Sequence, residues 1–138
     1  MVKYALVGYD GSDSSRRAFR FAVEQARAGH GRLRVVMVLK IAEGMADGCA
    51  LLMADNGEQR ARDLEEELKA LAPEAGPLMD VELVLGNPGD ALLEQVRRHG
   101  IDHIVIGHTA HGALARWLLG SVSGDVLARA RVPVTVVP

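Results

Sequence analysis

The chain is short of aromatic residues, with one Trp, two Tyr and two Phe among 138 positions. A core here has to be filled by aliphatic side chains. Cysteine is almost absent: Cys49 stands alone and has no internal disulfide partner. No apolar run approaches the roughly 20 residues that span a bilayer, which excludes a membrane-spanning helix of the usual kind. The start Met1-Val2-Lys3-Tyr4 carries neither the charged nor the long apolar region of a secretory signal, so a protein of the cytoplasm is expected. Sixteen basic and eighteen acidic residues are interspersed, and the formal charge is −2. Such a balance leaves no electrostatic footprint for nucleic acid or an anionic membrane surface, so neither is expected as a partner.

What is present is enough apolar material for one core. Hydrophobic residues make up 49% of the chain, and the length suits a single domain over residues 1–138. Tyr4-Ala5-Leu6-Val7-Gly8 is a short continuous apolar run, the pattern of a strand buried on both faces. Similar runs lie at residues 33–39, 81–85, 104–106 and 134–137, so five strands are predicted. Between them, Ala18, Phe19, Ala22, Val23 and Ala26 recur at helical spacing, as do Ala61, Leu64, Leu68 and Leu71. A third helix opens at Asn87-Pro88, with Asn87 as cap, and points Leu92, Leu93 and Val96 inward. A fourth is expected from near Gly120-Ser121 through Val126, Leu127 and Ala130. Residues 41–57 show no clear period, contain three glycines, and read as a mobile loop over one edge.

Strands alternating with helices of this length imply right-handed crossovers between parallel strands. The fold class is therefore α/β, a three-layer open parallel five-stranded sheet with helices on both faces. Pro133 opens the last strand, where its missing N–H costs least at a sheet edge. A bare apolar edge is sticky, and pairing with the same strand of a second subunit would cover it, so a homodimer through this C-terminal strand is expected.

In such sheets ligands sit beyond the carboxyl ends of the strands, where the strand order reverses. The first strand runs into Gly8-Tyr9-Asp10-Gly11-Ser12, and the fourth into Gly107-His108-Thr109-Ala110-His111-Gly112. The Asp10 carboxylate at the crevice mouth is suited to accept hydrogen bonds from ribose hydroxyls. It reads equally well as a turn residue or as a cap for the helix starting near Ser12. Gly107 lets a ligand approach the backbone, and Gly120-Ser121-Val122 opens a helix whose free N–H groups favour a phosphate. Ser121 is either a donor to that phosphate or a simple cap.

Other chemistries find less support. His99 and His103 are four apart, but Gly100 interrupts any helix that would align them, while His108 and His111 share a loop and read as solvent-exposed, or one of them as a phosphate donor, rather than as metal ligands. A Ser121/His108/Asp10 triad lacks a nucleophile elbow directly after a strand. The Walker pattern is missing too, so no lysine is placed for rapid phosphoryl transfer. No catalytic residue and no protein-borne metal site are assigned.

The stretch from Gly107 to Ser123 closely resembles the signature of the universal stress protein family: a glycine, two residues, a second glycine, nine residues, then glycine and serine or threonine. The resemblance extends to Asp10-Gly11-Ser12, to Gly86-Asn87-Pro88, to Asp102 and to Val132-Pro133-Val134. It implies strand order 3-2-1-4-5, the Rossmann-like arrangement of the adenine nucleotide alpha hydrolases, and ATP or a related adenine nucleotide as ligand, with magnesium on the phosphates. By the same resemblance Asp10 holds the ribose and the backbone of Val38 the adenine. Gly107, Ala110, Gly120, Ser121 and Val122 fall at the phosphate positions. Ala110 departs from the signature, which has glycine there. A sensor or regulator with at most slow hydrolysis is implied, against the alternative of a stress-protein dimer that acts through protein contacts without nucleotide.

Overall fold

A computed structural model of the chain describes residues 3–39, 46–108 and 124–138. Its five strands are β1 (Tyr4–Gly8), β2 (Arg32–Leu39), β3 (Met79–Leu85), β4 (His103–Gly107) and β5 (Val134–Val137). All neighbours pair in parallel, in the order β3-β2-β1-β4-β5. The helices are α1 (Asp13–Gly29), α2 (Ala46–Leu71), α3 (Pro88–His99) and α4 (Gly124–Arg129), with a 3-10 turn over Pro73–Leu78. This is the expected three-layer α/β fold.

The continuous apolar strands divide their residues between two cores, because successive side chains point to opposite faces. Ala5 and Val7 of β1, Leu33 and Val35 of β2 and Val105 of β4 pack beneath Ala18, Phe19, Ala22, Val23 and Ala26 of α1 and Leu64 and Leu68 of α2. Leu6, Val36, Ile104 and Ile106 point the other way, onto Leu92 of α3 and Val126 of α4. Leu93 and Val96 complete that face, as their spacing predicts. Leu127, the next residue of α4, turns outward and is 52% exposed.

The helix starts follow local chemistry. Asn87 caps α3, its side chain accepting the Asp90 N–H at 3.2 Å, and Pro88 occupies the first turn. Residues 120–123, the expected start of the fourth helix, lie outside the described residues.

One expectation is overturned. Residues 46–57 are not a loop but the first half of α2. Gly48 and Gly57 each cost about 1 kcal/mol in a helix, yet Ala50-Leu51-Leu52-Met53-Ala54 between them are strong helix formers. The later turns are already fixed in the core by Leu64 and Leu68. Extending an established helix one residue at a time avoids the nucleation cost, so a segment without its own period can still propagate. Residues 41–45 of that supposed loop lie outside the described residues.

Candidate functional site

The strand order reverses between β1 and β4, since α1 leaves β1 toward β2 while β4 lies on β1's other side. Beyond the carboxyl ends of these strands the chain after β1 must turn to enter α1. Gly11 makes that turn at φ +83°, a conformation side chains resist. The Asp10 carboxylate accepts the Ser12 N–H at 2.9 Å, and the Asp10 N–H donates to Ser15 Oγ at 3.4 Å. Asp10 is thus a turn aspartate. The cap of α1 is Ser12, whose hydroxyl accepts the Ser15 N–H at 3.2 Å.

These bonds set the charge of Asp10. Partial burial works against its ionised form, but hydrogen bonds from the Ser12 hydroxyl and amide, the Ser15 hydroxyl and the Asp10 amide outweigh it. The carboxyl is held below the ordinary aspartate value. Asp10 remains exposed, so an ionised acceptor with a fixed backbone stands at the mouth of the crevice.

Gly107 sits at the other wall, where its lack of a side chain has a packing reason. A Cβ there would lie 2.5 Å from the backbone carbon of Ser14 and 2.7 Å from the Ser15 nitrogen. The side-chain position of Gly107 is therefore filled by the first turn of α1, not kept open for a ligand. The consequence is equally useful: the first turn of α1, which follows the Asp10 turn, packs directly against the end of β4. His108 continues that wall, its N–H donating to the Val137 carbonyl at 2.7 Å.

Val38 lies near the end of β2, its side chain partly buried against the α3 core. In a parallel ladder the peptide groups of alternate residues aim at alternate neighbours. The Val36 carbonyl accepts from Tyr9 and the Leu39 carbonyl from Gly86, each at 3.0 Å, so Val38 aims its N–H and C=O at the β1 side. There the chain has already left the ladder at Asp10, and among the described residues no backbone group of residues 9–11 bonds to Val38. Among the described residues, one donor and one acceptor are thus left facing the β1 side, a pair that matches the hydrogen-bonding edge of a purine.

The structure thus draws Asp10, Val38 and Gly107 to one edge of the sheet. Ala110, Gly120, Ser121 and Val122 lie outside the described residues, as do His111, Arg116 and Trp117. His99 closes α3 and His103 opens β4, with Gly100 turning at φ +64° between them; no group of three metal-binding side chains occurs among the described residues.

Sequence reasoning passed over Tyr9. It directly precedes Asp10, is 2% exposed, and its hydroxyl donates to Glu67 Oε2 of α2 at 3.0 Å. The ring meets Phe19 edge to face at a centroid distance of 6.4 Å. Burial raises the Tyr9 pKa and Glu67 adds to the rise, while Arg16 opposes it. The one available signal was the scarcity of tyrosine beside a candidate ligand residue.

Comparison with known proteins agrees with the fold. A family model described as the universal stress protein family matches residues 1–138. A universal stress protein encoded in the 3′ region of the QAH/OAS sulfhydrylase of Thermus aquaticus is 33% identical, with 99% of each chain covered. A universal stress protein solved in complex with cAMP is 28% identical and superposes with TM-score 0.71, covering 99% of this chain and 97% of the other. The universal stress protein UspA from Lactobacillus plantarum, at 22% identity, matches in fold with TM-score 0.78 over 99% of this chain and 98% of its own.

Proposed function

This chain belongs to the universal stress protein family, and on that footing we propose that it binds ATP or a related adenine nucleotide at the carboxyl edge of β1, β2 and β4. The observation that carries the reading is an ionised, exposed Asp10 on the same sheet edge as the Val38 peptide, which has no backbone partner on its β1 side among the described residues, beside the end of β4 at Gly107. Asp10 would accept from the ribose hydroxyls and Val38 would read the adenine edge. The cAMP complex of a relative 28% identical supports an adenine nucleotide as the ligand class.

By the signature, Gly107, Ala110, Gly120, Ser121 and Val122 would contribute backbone amides and one hydroxyl to the phosphates. Magnesium would be carried in on a polyphosphate, where it neutralises charge. The chain's part is to bind and orient. With no Walker lysine in the sequence, hydrolysis is at most slow, and the role is that of a sensor or regulator in a stress response.

The protein would act in the cytoplasm as a homodimer. No helix among the described residues is long and apolar enough to cross a membrane. All four residues of the edge strand β5 are only partly buried, which favours a second copy on that edge. The rival reading, a dimer working through protein contacts alone, predicts an empty crevice. Mass spectrometry of small molecules released from the purified protein, followed by calorimetric titration with cAMP and with MgATP, separates the two. Released adenine nucleotide or saturable binding supports the proposal; neither resident nucleotide nor binding refutes it.

A further inference from the structure

Taking the proposed nucleotide site as given, we propose that Tyr9 and Glu67 are positioning residues that pass occupancy of the Asp10 crevice to helix α2. The Asp10 carboxylate is tied to its turn by the Ser12 N–H, and the Asp10 N–H by Ser15 Oγ, so a sugar that draws the carboxylate outward pulls on the backbone that runs directly into Tyr9. The Tyr9 ring is held in the α1–α2 core by Phe19, and its hydroxyl reaches Glu67 across the gap between strand end and helix. Glu67 is exposed, but the neighbouring Leu64 and Leu68 are 5% and 0% exposed. Those anchors fix which way the helix faces, so a displacement of the Tyr9 hydroxyl either breaks the bond to Glu67 or tilts the helix.

Helix α2 is long enough to carry such a tilt outward. Its 26 residues span about 39 Å, whereas the seven of β3 span about 23 Å. Its carboxyl end is tied down at the start of β3, where Ala72 and Ala75 pack with Met79. The surplus length therefore projects past the carboxyl ends of the strands, on the side of the crevice. A small movement at Glu67, near the tied end, is enlarged toward the projecting end. Occupancy of a small-molecule site thereby becomes a change in surface that another protein can read, which a sensor with little or no catalysis requires.

Two variants test this with little disturbance of packing. Tyr9→Phe keeps the ring against Phe19 and removes only the hydroxyl; Glu67→Gln keeps an acceptor and removes the charge. Hydrogen exchange of the full chain with and without saturating cAMP or MgATP is the main measurement. In the native protein, nucleotide is expected to slow exchange both in residues 10–16 and in residues 58–71. In Tyr9→Phe the protection of 10–16 persists, that of 58–71 is lost, and affinity falls roughly five-fold. The bond itself is checked without nucleotide: Glu67→Gln should lower the pH at which Tyr9 ionises, followed by ultraviolet absorbance in a Tyr4→Phe background.

Identical affinity and identical protection of α2 in native and Tyr9→Phe proteins would overturn the coupling while leaving nucleotide binding intact. If the native chain takes up neither cAMP nor MgATP, the proposed function and the coupling fall together. An unchanged ionisation of Tyr9 in Glu67→Gln removes the bond on which the coupling depends.

Discussion

Two aspartates flank one sheet at opposite ends, and both accept backbone N–H groups. Asp102, before β4, accepts from Lys3 N at 2.8 Å and from Tyr4 N at 3.3 Å, joining segments almost a hundred residues apart. Asp10, after β1, accepts from Ser12 only two residues on. The amino edge around Asp102 is further stitched by the Arg32–Asp80 and Arg34–Glu82 ion pairs between β2 and β3. A carboxylate whose bonds close the fold is committed to stability. One whose bonds only shape its own turn stays exposed and is free to meet a ligand.

The comparison would break first at Gly107, because there the carboxyl edge is as tightly joined as the amino edge. Gly107→Ala places a methyl against α1 backbone that has no flexible end to yield. Destabilisation of about 3 kcal/mol is expected in denaturant melts, the upper range for overpacking. A loss under 1 kcal/mol would mean that α1 is looser than the described contact.

The two aspartates should then separate by which quantity each controls. Asp102→Ala strands the half-buried Tyr4 N–H and should cost about 2 kcal/mol of stability, with cAMP affinity unchanged. Asp10→Ala should lose at least about ten-fold in affinity, since a ligand hydrogen bond to a charged group contributes about 1.5–3 kcal/mol. Its melting should change by less than that of Asp102→Ala. Equal stability losses with equal affinities would erase the distinction between the edges.

Acid sharpens the same contrast with a smaller effect. The carboxyl of Asp10 is depressed in the folded state, so the unfolded chain binds its proton first as pH falls. Its contribution to stability is complete above the ordinary aspartate value of about 3.9 and is lost as pH drops through the lower folded value. The stability difference between the native protein and Asp10→Asn should be constant near neutrality and shrink below about pH 4. A difference that grows in acid would show that Asp10 is not held ionised by its turn.

Much of this was legible from the chain. Strands buried on both faces announce themselves as unbroken apolar runs, and the Asn87-Pro88 start of α3 is specified within three residues. The local capture of Ser12 by Asp10 belongs to the same short range. What was not legible is long-range: Tyr9 meets Glu67 across 58 positions, and only the packing of α1 against β4 reveals why Gly107 has no side chain. Helix α2 shows the intermediate case, where residues 46–57 lack a period of their own and are helical because the turns after them are anchored.

The smallest expected effect concerns Ala110, which takes the place of glycine in the family signature and lies outside the described residues. If the phosphate loop needs a left-handed residue there, alanine imposes a penalty of roughly 1–2 kcal/mol that glycine lacks. Backbone N–H donation is the same for both residues, so the change alters how easily the loop closes and leaves its donors intact. Ala110→Gly should therefore tighten MgATP roughly five-fold, with a smaller gain for cAMP, whose single phosphate touches less of the loop. Titration of both ligands against both proteins measures the difference directly. An equal gain for the two nucleotides would place the benefit in the loop as a whole, and no gain for either would mean that alanine already fits the backbone conformation required.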